Sequence, residues 1–244
     1  MVEKDRILPS DKNYIEFPVQ DFLKQIKEDG FKKAEIWAAV PCIFVDAYGC
    51  GSLEYLKKTF EKAGVQIVCY RPAPYGYALY AEKNSFFRRS SLEYYYSSIK
   101  AAEELNASIV AIEVSFGPLD QNEELKRELV ADGIRKIGEQ CWNKNMRLVW
   151  KINPYPAKSI TYWLEETKIL YEMLGNCKDK VGLEMDLNWF GKSRKEVSNW
   201  FKAFGKSIWY ISGIHEERLL VEEVESLGYS GFYGQDYLKR RIMG

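Results

Sequence analysis

Apolar residues along this chain switch repeatedly between helical spacing and strand-like runs, in the same order from one end to the other. Phe22, Leu23 and Ile26 follow Phe17-Pro18 at helical spacing and stop at Gly30, after which Ala34-Glu35-Ile36-Trp37-Ala38 reads as a short strand. Leu53, Leu56 and Phe60 form the next helical stripe, ended by Gly64, and Val65-Gln66-Ile67-Val68-Cys69 is a β-branched run. Ser90 and Ser91 are suited to cap a helix with the stripe Leu92, Tyr96, Ile99 and Ala102, and Ser108–Val114 follows as a strand. Leu125, Leu129, Ile134, Ile137 and Cys141 mark a longer helix before the strand Met146–Asn153. Trp163, Ile169, Leu170 and Leu174 precede the strand Lys180–Asp186, and Val197, Trp200, Phe201 and Phe204 precede Ser207–Ser212. Leu219, Leu220, Val224 and Leu227 lead through Gly228 to Phe232–Asp236. With Arg6-Ile7-Leu8 as a first strand, eight strands alternate with helices.

Such a chain is of the α/β class, and eight repeated units close as a (β/α)8 TIM barrel rather than opening into a doubly wound sheet. No Pro/Gly/Ser-rich linker divides it, so residues 1–244 are expected to form a single domain. Neither GxGxxG nor GxxxxGK[ST] occurs, which removes the phosphate-cradling loops of the nucleotide-binding sheets.

Composition narrows the partners. Thirty-five basic residues balance thirty-five acidic ones, so no net positive field gathers nucleic acid and no polybasic run holds a membrane surface. A small ligand fits better. Apolar runs break well before the roughly 18 residues that a membrane span needs. The opening Met1-Val2-Glu3-Lys4-Asp5-Arg6 lacks a signal-peptide core, so a cytoplasmic protein is expected. The five cysteines are scattered and never form a CxxC pair, against a disulfide framework or zinc knuckle. A single histidine, His215, excludes multi-histidine metal sites.

In a barrel of this kind the chemistry lies at the carboxyl ends of the strands. Glu35, Arg71, Glu113, Lys151, Asn153, Asp186, Asn188, Ser212 and Asp236 fall there, with Trp37, Trp150, Trp189 and Trp209 close by in sequence. Charged groups inside a barrel mouth are costly unless paired or used. Strand alternation places Val149, Lys151 and Asn153 on one face and Leu148, Trp150 and Ile152 on the other, consistent with an inward lysine; the alternative is a side chain that snorkels into water. Arg71, and Arg88 with Arg89, have the fork to hold a phosphate or carboxylate, although surface arginines are common. The segment from Tyr70 to Arg89 is the longest one after a strand and reads as a lid.

At these positions the chain resembles the xylose isomerase-like superfamily of sugar phosphate isomerases/epimerases and AP endonuclease family 2 barrels. Lys33-Ala34-Glu35-Ile36 resembles that family's second strand, Ile99–Ala107 its helix before strand four, Val181–Leu187 its strand six and Gly228–Phe232 its turn into strand eight. The resemblance implies a divalent metal, Mn, Mg, Zn or Co, held by Glu, Asp, His and Glu at the ends of strands five to eight, and proton transfer by a carboxylate. Asp186 and Asp236 match two of these positions. Lys151 stands where the strand-five glutamate is implied, Ser212 where the histidine is, and Trp189 at the position three beyond Asp186; His215 lies three past Ser212.

Two carboxylates and an ammonium make a poor divalent site, so no metal is expected; were Mn, Mg or Zn bound weakly, Asp186 and Asp236 would hold it. Lys151 is expected to pair with Asp186, Glu113 or Asp236 and fill the metal's space. The expected function is that of a sugar isomerase or epimerase, with Lys151, Asp186, Glu113 and Asp236 in the catalytic set and Arg71, Asn153, Trp189, Ser212, His215 and Trp37 around a small carbohydrate. Two alternatives stay open: a non-catalytic sugar-binding pseudoenzyme, and an aldolase or lyase forming a Schiff base on Lys151. AP endonuclease chemistry, which implies three metals and several histidines, does not fit one histidine. A homodimer joined through exposed aromatic faces is a further expectation.

Overall fold

Strand alternation and helix caps combine into a closed parallel barrel. The computed structural model describes residues 2–39, 42–73, 82–115, 122–153, 158–214 and 218–237. Its elements run β1 (Ile7–Ser10), α1 (Val19–Glu28), β2 (Lys33–Ala38), a short antiparallel hairpin of β3 (Val45–Asp46) and β4 (Gly49–Cys50), α2 (Glu54–Ala63), β5 (Gln66–Pro72), α3 (Ser85–Glu104), β6 (Ile109–Val114), α4 (Glu123–Asn143), β7 (Arg147–Ile152), α5 (Ile160–Met173), β8 (Val181–Asp186), α6 (Arg194–Phe204), β9 (Ile208–Ser212), α7 (Arg218–Ser226) and β10 (Phe232–Asp236). The barrel closes in the order β1-β10-β9-β8-β7-β6-β5-β2, every pairing parallel.

All eight expected strands are present within a few residues of their sequence bounds. The hairpin was not legible, because two-residue strands are too short to show alternation. The helix expected to begin at Ser90 and Ser91 starts earlier: Asn84 caps it by accepting a bond from the Phe86 amide at 2.9 Å, and Ser91 lies buried inside it. Ser159 and Ser193 cap α5 and α6 in the same way. Gly64 closes α2 at φ 67°, a backbone conformation that costs a glycine nothing.

Two apolar layers follow from the strand period. The outer one joins helix stripes to strand residues such as Leu148, Trp150 and Ile152. The inner one, Leu8, Val68, Cys69, Ile109, Ala111, Val149 and Tyr210, comes from strands alone and therefore fills the barrel. Lys151 falls on the Val149 side, as alternation requires.

Two bulges interrupt that alternation. Between β2 and β5 the register passes from Ala34↔Ile67 to Glu35↔Cys69, leaving Val68 as the extra residue; between β8 and β9 it passes from Leu183↔Ile208 to Glu184↔Tyr210, leaving Trp209. Each bulge lets two consecutive residues, Val68 with Cys69 and Trp209 with Tyr210, join the inner layer. Downstream of them, Arg71 and Ser212 share the inner face. Among the described residues no helix is long and apolar enough to cross a membrane.

Helix α4 lies tight on β8 at Gly138, where a Cβ would come within 2.4 Å of Val181 Cγ1. Gly138→Ala gains at most about 1 kcal/mol of helix propensity, whereas overpacking against a stiff valine costs about 1–3 kcal/mol. The variant is expected to melt below the parent in thermal unfolding; a higher melting temperature would mean the helix is not pinned there.

Candidate active site

Lys151 sits near the carboxyl end of β7, buried, with Nζ 2.8 Å from Asp186 Oδ2, 3.2 Å from Glu184 Oε1 and 3.4 Å from Glu113 Oε1. Strand register explains the set. Glu113 is the direct neighbour of Lys151 across β6 and β7, and Glu184 and Asp186, two apart on β8, share its inner face.

Arg71 forms the second half of the network. It bonds Glu35 through Nε and one terminal nitrogen, both at 3.1 Å, and Glu184 through both terminal nitrogens at 2.9 and 3.1 Å. Tyr210 donates to Glu35 at 2.7 Å, and Ser212 donates to Glu184 at 2.6 Å. A Cβ at Gly234 would stand 2.5 Å from the Tyr210 hydroxyl, so that phenol needs glycine beside it. Gly213, at φ 75°, is held both by its backbone and by Asp186, whose Oδ1 lies 2.7 Å from where a Cβ would be. That same oxygen accepts from the Asn188 amide at 3.1 Å.

Electrostatics follow from this sharing. Burial alone pushes the Glu184 carboxyl up; the charges of Arg71 and Lys151, with hydrogen bonds from Arg71 and Ser212, overcome it and hold the carboxyl down at about 2. Burial works against the Lys151 ammonium, yet Glu184, Asp186 and Glu113 outweigh both burial and the Arg71 charge, so its proton is held more tightly than in water. Asp11, buried just past β1, accepts the Trp37 amide at 2.6 Å. Its carboxyl is pushed up to about 7 by burial, with Glu35 adding to the rise against the Trp37 hydrogen bond.

The expected residues do not all converge. Lys151, Asp186, Glu113, Arg71 and Ser212 form one network. Asp236 is an exposed residue at the end of β10 and pairs instead with Lys12, whose Nζ lies 3.7 Å away. Arg71 is buried between two carboxylates, and its fork is filled by them. Asn153 is exposed just past β7, its amide bonded to the Val114 carbonyl. Trp37, at the end of β2, has Lys12 Nζ 5.2 Å from its ring. Trp189 packs edge-on against Trp200 at 6.0 Å. Trp150 is fully buried in the outer layer, and Trp209 lies at the amino end, away from the mouth. His215, and the part of the expected lid at 74–81, lie outside the described residues.

Sequence reading did not single out Glu184, Asp11 or Tyr210. For Glu184 a signal existed: it precedes Asp186 by two in a strand whose alternation puts both on one side. Tyr210 had none, because its inward position depends on the Trp209 bulge.

As a metal donor set this cluster fits poorly. The ammonium occupies the space between Glu113, Glu184 and Asp186, and among the described residues no group of three or more His, Cys, Asp or Glu is disposed to hold a metal ion.

Lys151→Met would leave Asp186 without its cation and Glu184 with Arg71 alone, a loss of about 3–5 kcal/mol, whereas Lys151→Arg, which keeps the charge, should lose less. Urea unfolding of the three proteins checks the order; equal stabilities would mean the ammonium does not neutralise these carboxylates. For Asp11 the folded state holds its proton more tightly than the ordinary 3.8 of the unfolded chain, so its contribution is present at low pH and lost as pH rises from 3.8 through about 7. Asp11→Asn still offers an oxygen to the Trp37 amide, and its melting temperature should fall less than the parent's across that window. An unchanged slope would place the titration elsewhere.

No family model and no curated protein sequence matches the chain. Solved structures do. A D-psicose 3-epimerase with D-fructose superposes at TM-score 0.74 with 10% identity, over 96% of this chain and 85% of that one. A 3-keto-D-glucoside 4-epimerase from E. coli gives 0.72 at 13% identity, over 97% and 93%. A D-tagatose 3-epimerase-like protein gives 0.71 at 17% identity, over 95% and 90%. Sequence identity this low establishes architecture and leaves chemistry to the site. The chain thus has the fold of the xylose isomerase-like sugar phosphate isomerase/epimerase and AP endonuclease family 2 barrels.

Proposed function

We propose that this protein acts on a small carbohydrate or carbohydrate derivative by moving a proton at the carbon next to a carbonyl, with the Lys151 ammonium serving where related barrels would use a metal. The observation that carries this reading is Lys151 Nζ among Asp186, Glu184 and Glu113 at the end of the barrel where such folds place their chemistry.

The three carboxylates are not equivalent. Glu184 is buried and shared with Arg71 and Ser212, so it fixes the cation rather than reacting. Glu113 makes the longest contact, 3.4 Å, and has the most exposed side chain of the three. A substrate carbonyl oxygen that takes the place of Glu113 at Nζ would leave the Glu113 carboxylate beside the carbon acid. The base then takes the proton, the C–H electron pair passes to the carbonyl carbon–oxygen unit, and the enediolate oxygen accepts a bond from the ammonium. Return of that proton by Glu113 to the neighbouring carbon, with the hydroxyl proton passing between the two enediolate oxygens, gives an isomer. Delivery of a proton to the other face of the same carbon by Asp186, which takes it up from solvent while Glu113 releases its own to solvent, gives an epimer.

A Schiff base on Lys151 is the weaker reading. The amine must be unprotonated to attack a carbonyl, and the three carboxylates keep it protonated. No resident divalent metal is part of the proposal. Asp236, the second ligand that the family pattern would call on, pairs with Lys12 on an exposed edge.

The test is solvent exchange. Incubated in deuterium oxide with a panel of ketoses, aldoses and their phosphates, the protein should place deuterium on the carbon beside the carbonyl of at least one. Lys151→Met should slow this by about 100-fold or more, and a chelator should leave it unchanged. Ligand-induced stabilisation without any exchange would instead make the protein a non-catalytic sugar binder. Activity lost to the chelator and restored by Mn²⁺ would overturn the role given to Lys151.

A further inference from the structure

The amino end of the barrel, remote from Lys151, carries a cavity of about 980 Å³. Its walls include Arg147, Lys202, Lys206, Trp209, Phe201 and Phe232, and among the described lining residues there is no aspartate or glutamate. In a chain whose charges cancel overall, three cations without an acid at one concavity is a local positive field.

Trp209 stands there because of the β9 bulge. As the extra residue of β9 it turns toward the barrel, and only glycine at 182 admits it: a Cβ on Gly182 would lie 2.3 Å from the indole. The ring is fixed further by its N–H, which donates to the Lys206 carbonyl at 3.0 Å, and by Arg147, whose guanidinium carbon is 5.5 Å from the ring centroid. The indole is thus a rigid flat wall with a cation already on it. Above, Ile109 and Val149 belong both to the cavity lining and to the inner apolar layer, which separates this space from the mouth.

We infer that this cavity is a second binding site, for a flat ring that carries an anionic group, as a nucleoside monophosphate does. The aromatic walls suit the ring, and the Arg147 fork with the Lys202 and Lys206 ammoniums suits the anion. Its volume lies at the upper end of the roughly 300–1,000 Å³ usual for small-molecule sites. This site is independent of the reaction proposed for the mouth.

Titration of the intact protein with AMP, adenosine and inorganic phosphate, followed by tryptophan emission and calorimetry, tests it. AMP should bind about tenfold or more tighter than either part alone, since ring and anion are held by different walls. Lys202→Glu with Lys206→Glu, both exposed and outside the core, should weaken AMP by about tenfold or more, and added salt should weaken it in the parent. Adenosine or phosphate binding as tightly as AMP, no AMP binding at millimolar concentration, or AMP binding indifferent to the charge reversal would each overturn the inference. Loss of AMP binding in Lys151→Met with retention in the Lys202/Lys206 variant would move the site to the mouth, and overturn it equally.

Discussion

Glu184 is the carboxylate on which both interior cations depend. It accepts two bonds from Arg71, one from Ser212 and an ion pair from Lys151, and through Arg71 it is tied to Glu35 and Tyr210. A buried charge is tolerated when its partners are geometrically good and its lone pairs are filled, and Glu184 meets both conditions. The same sharing sets four carboxylates, Glu35, Glu113, Glu184 and Asp186, against Arg71 and Lys151 in the ion pairs among the described residues. Glu113 and Asp186 are the two of these carboxylates nearest solvent, which is where a proton acceptor is useful.

Backbone irregularity aims this network. A strand that alternated without interruption from Gln66 would put Val68 inside and Arg71 outside, among helices where a guanidinium has no carboxylate to meet. One extra residue at Val68 restores Arg71 to the interior, and one at Trp209 does the same for Tyr210 and Ser212. The second bulge acts at both ends of the barrel, since it sends Tyr210 up to Glu35 and the Trp209 indole to the amino-terminal cavity.

Arg71 illustrates how differently a residue reads in sequence and in space. At a strand end beside a long segment it has the look of an anion binder, yet its fork is spent on Glu35 and Glu184. Lys151 shows the converse. Alternation and the absence of a carboxylate at its position already marked it as an interior cation, and three carboxylates surround it.

By itself the sequence determined the barrel, because hydrophobic period, glycine stops and the repeated order of elements are local signals that each stretch carries in its own residues. It also determined the inward face of β7, hence Lys151, and by the same alternation the shared face of Glu184 and Asp186 on β8. What only the tertiary structure decided is which side chains meet. The two bulges arise from register between strands distant in sequence, so the inward turn of Arg71, Tyr210 and Trp209 has no local signature. The separation of Asp236 from Lys151 was equally hidden, because closure of the barrel sets β10 beside β1, where Asp236 meets Lys12 instead.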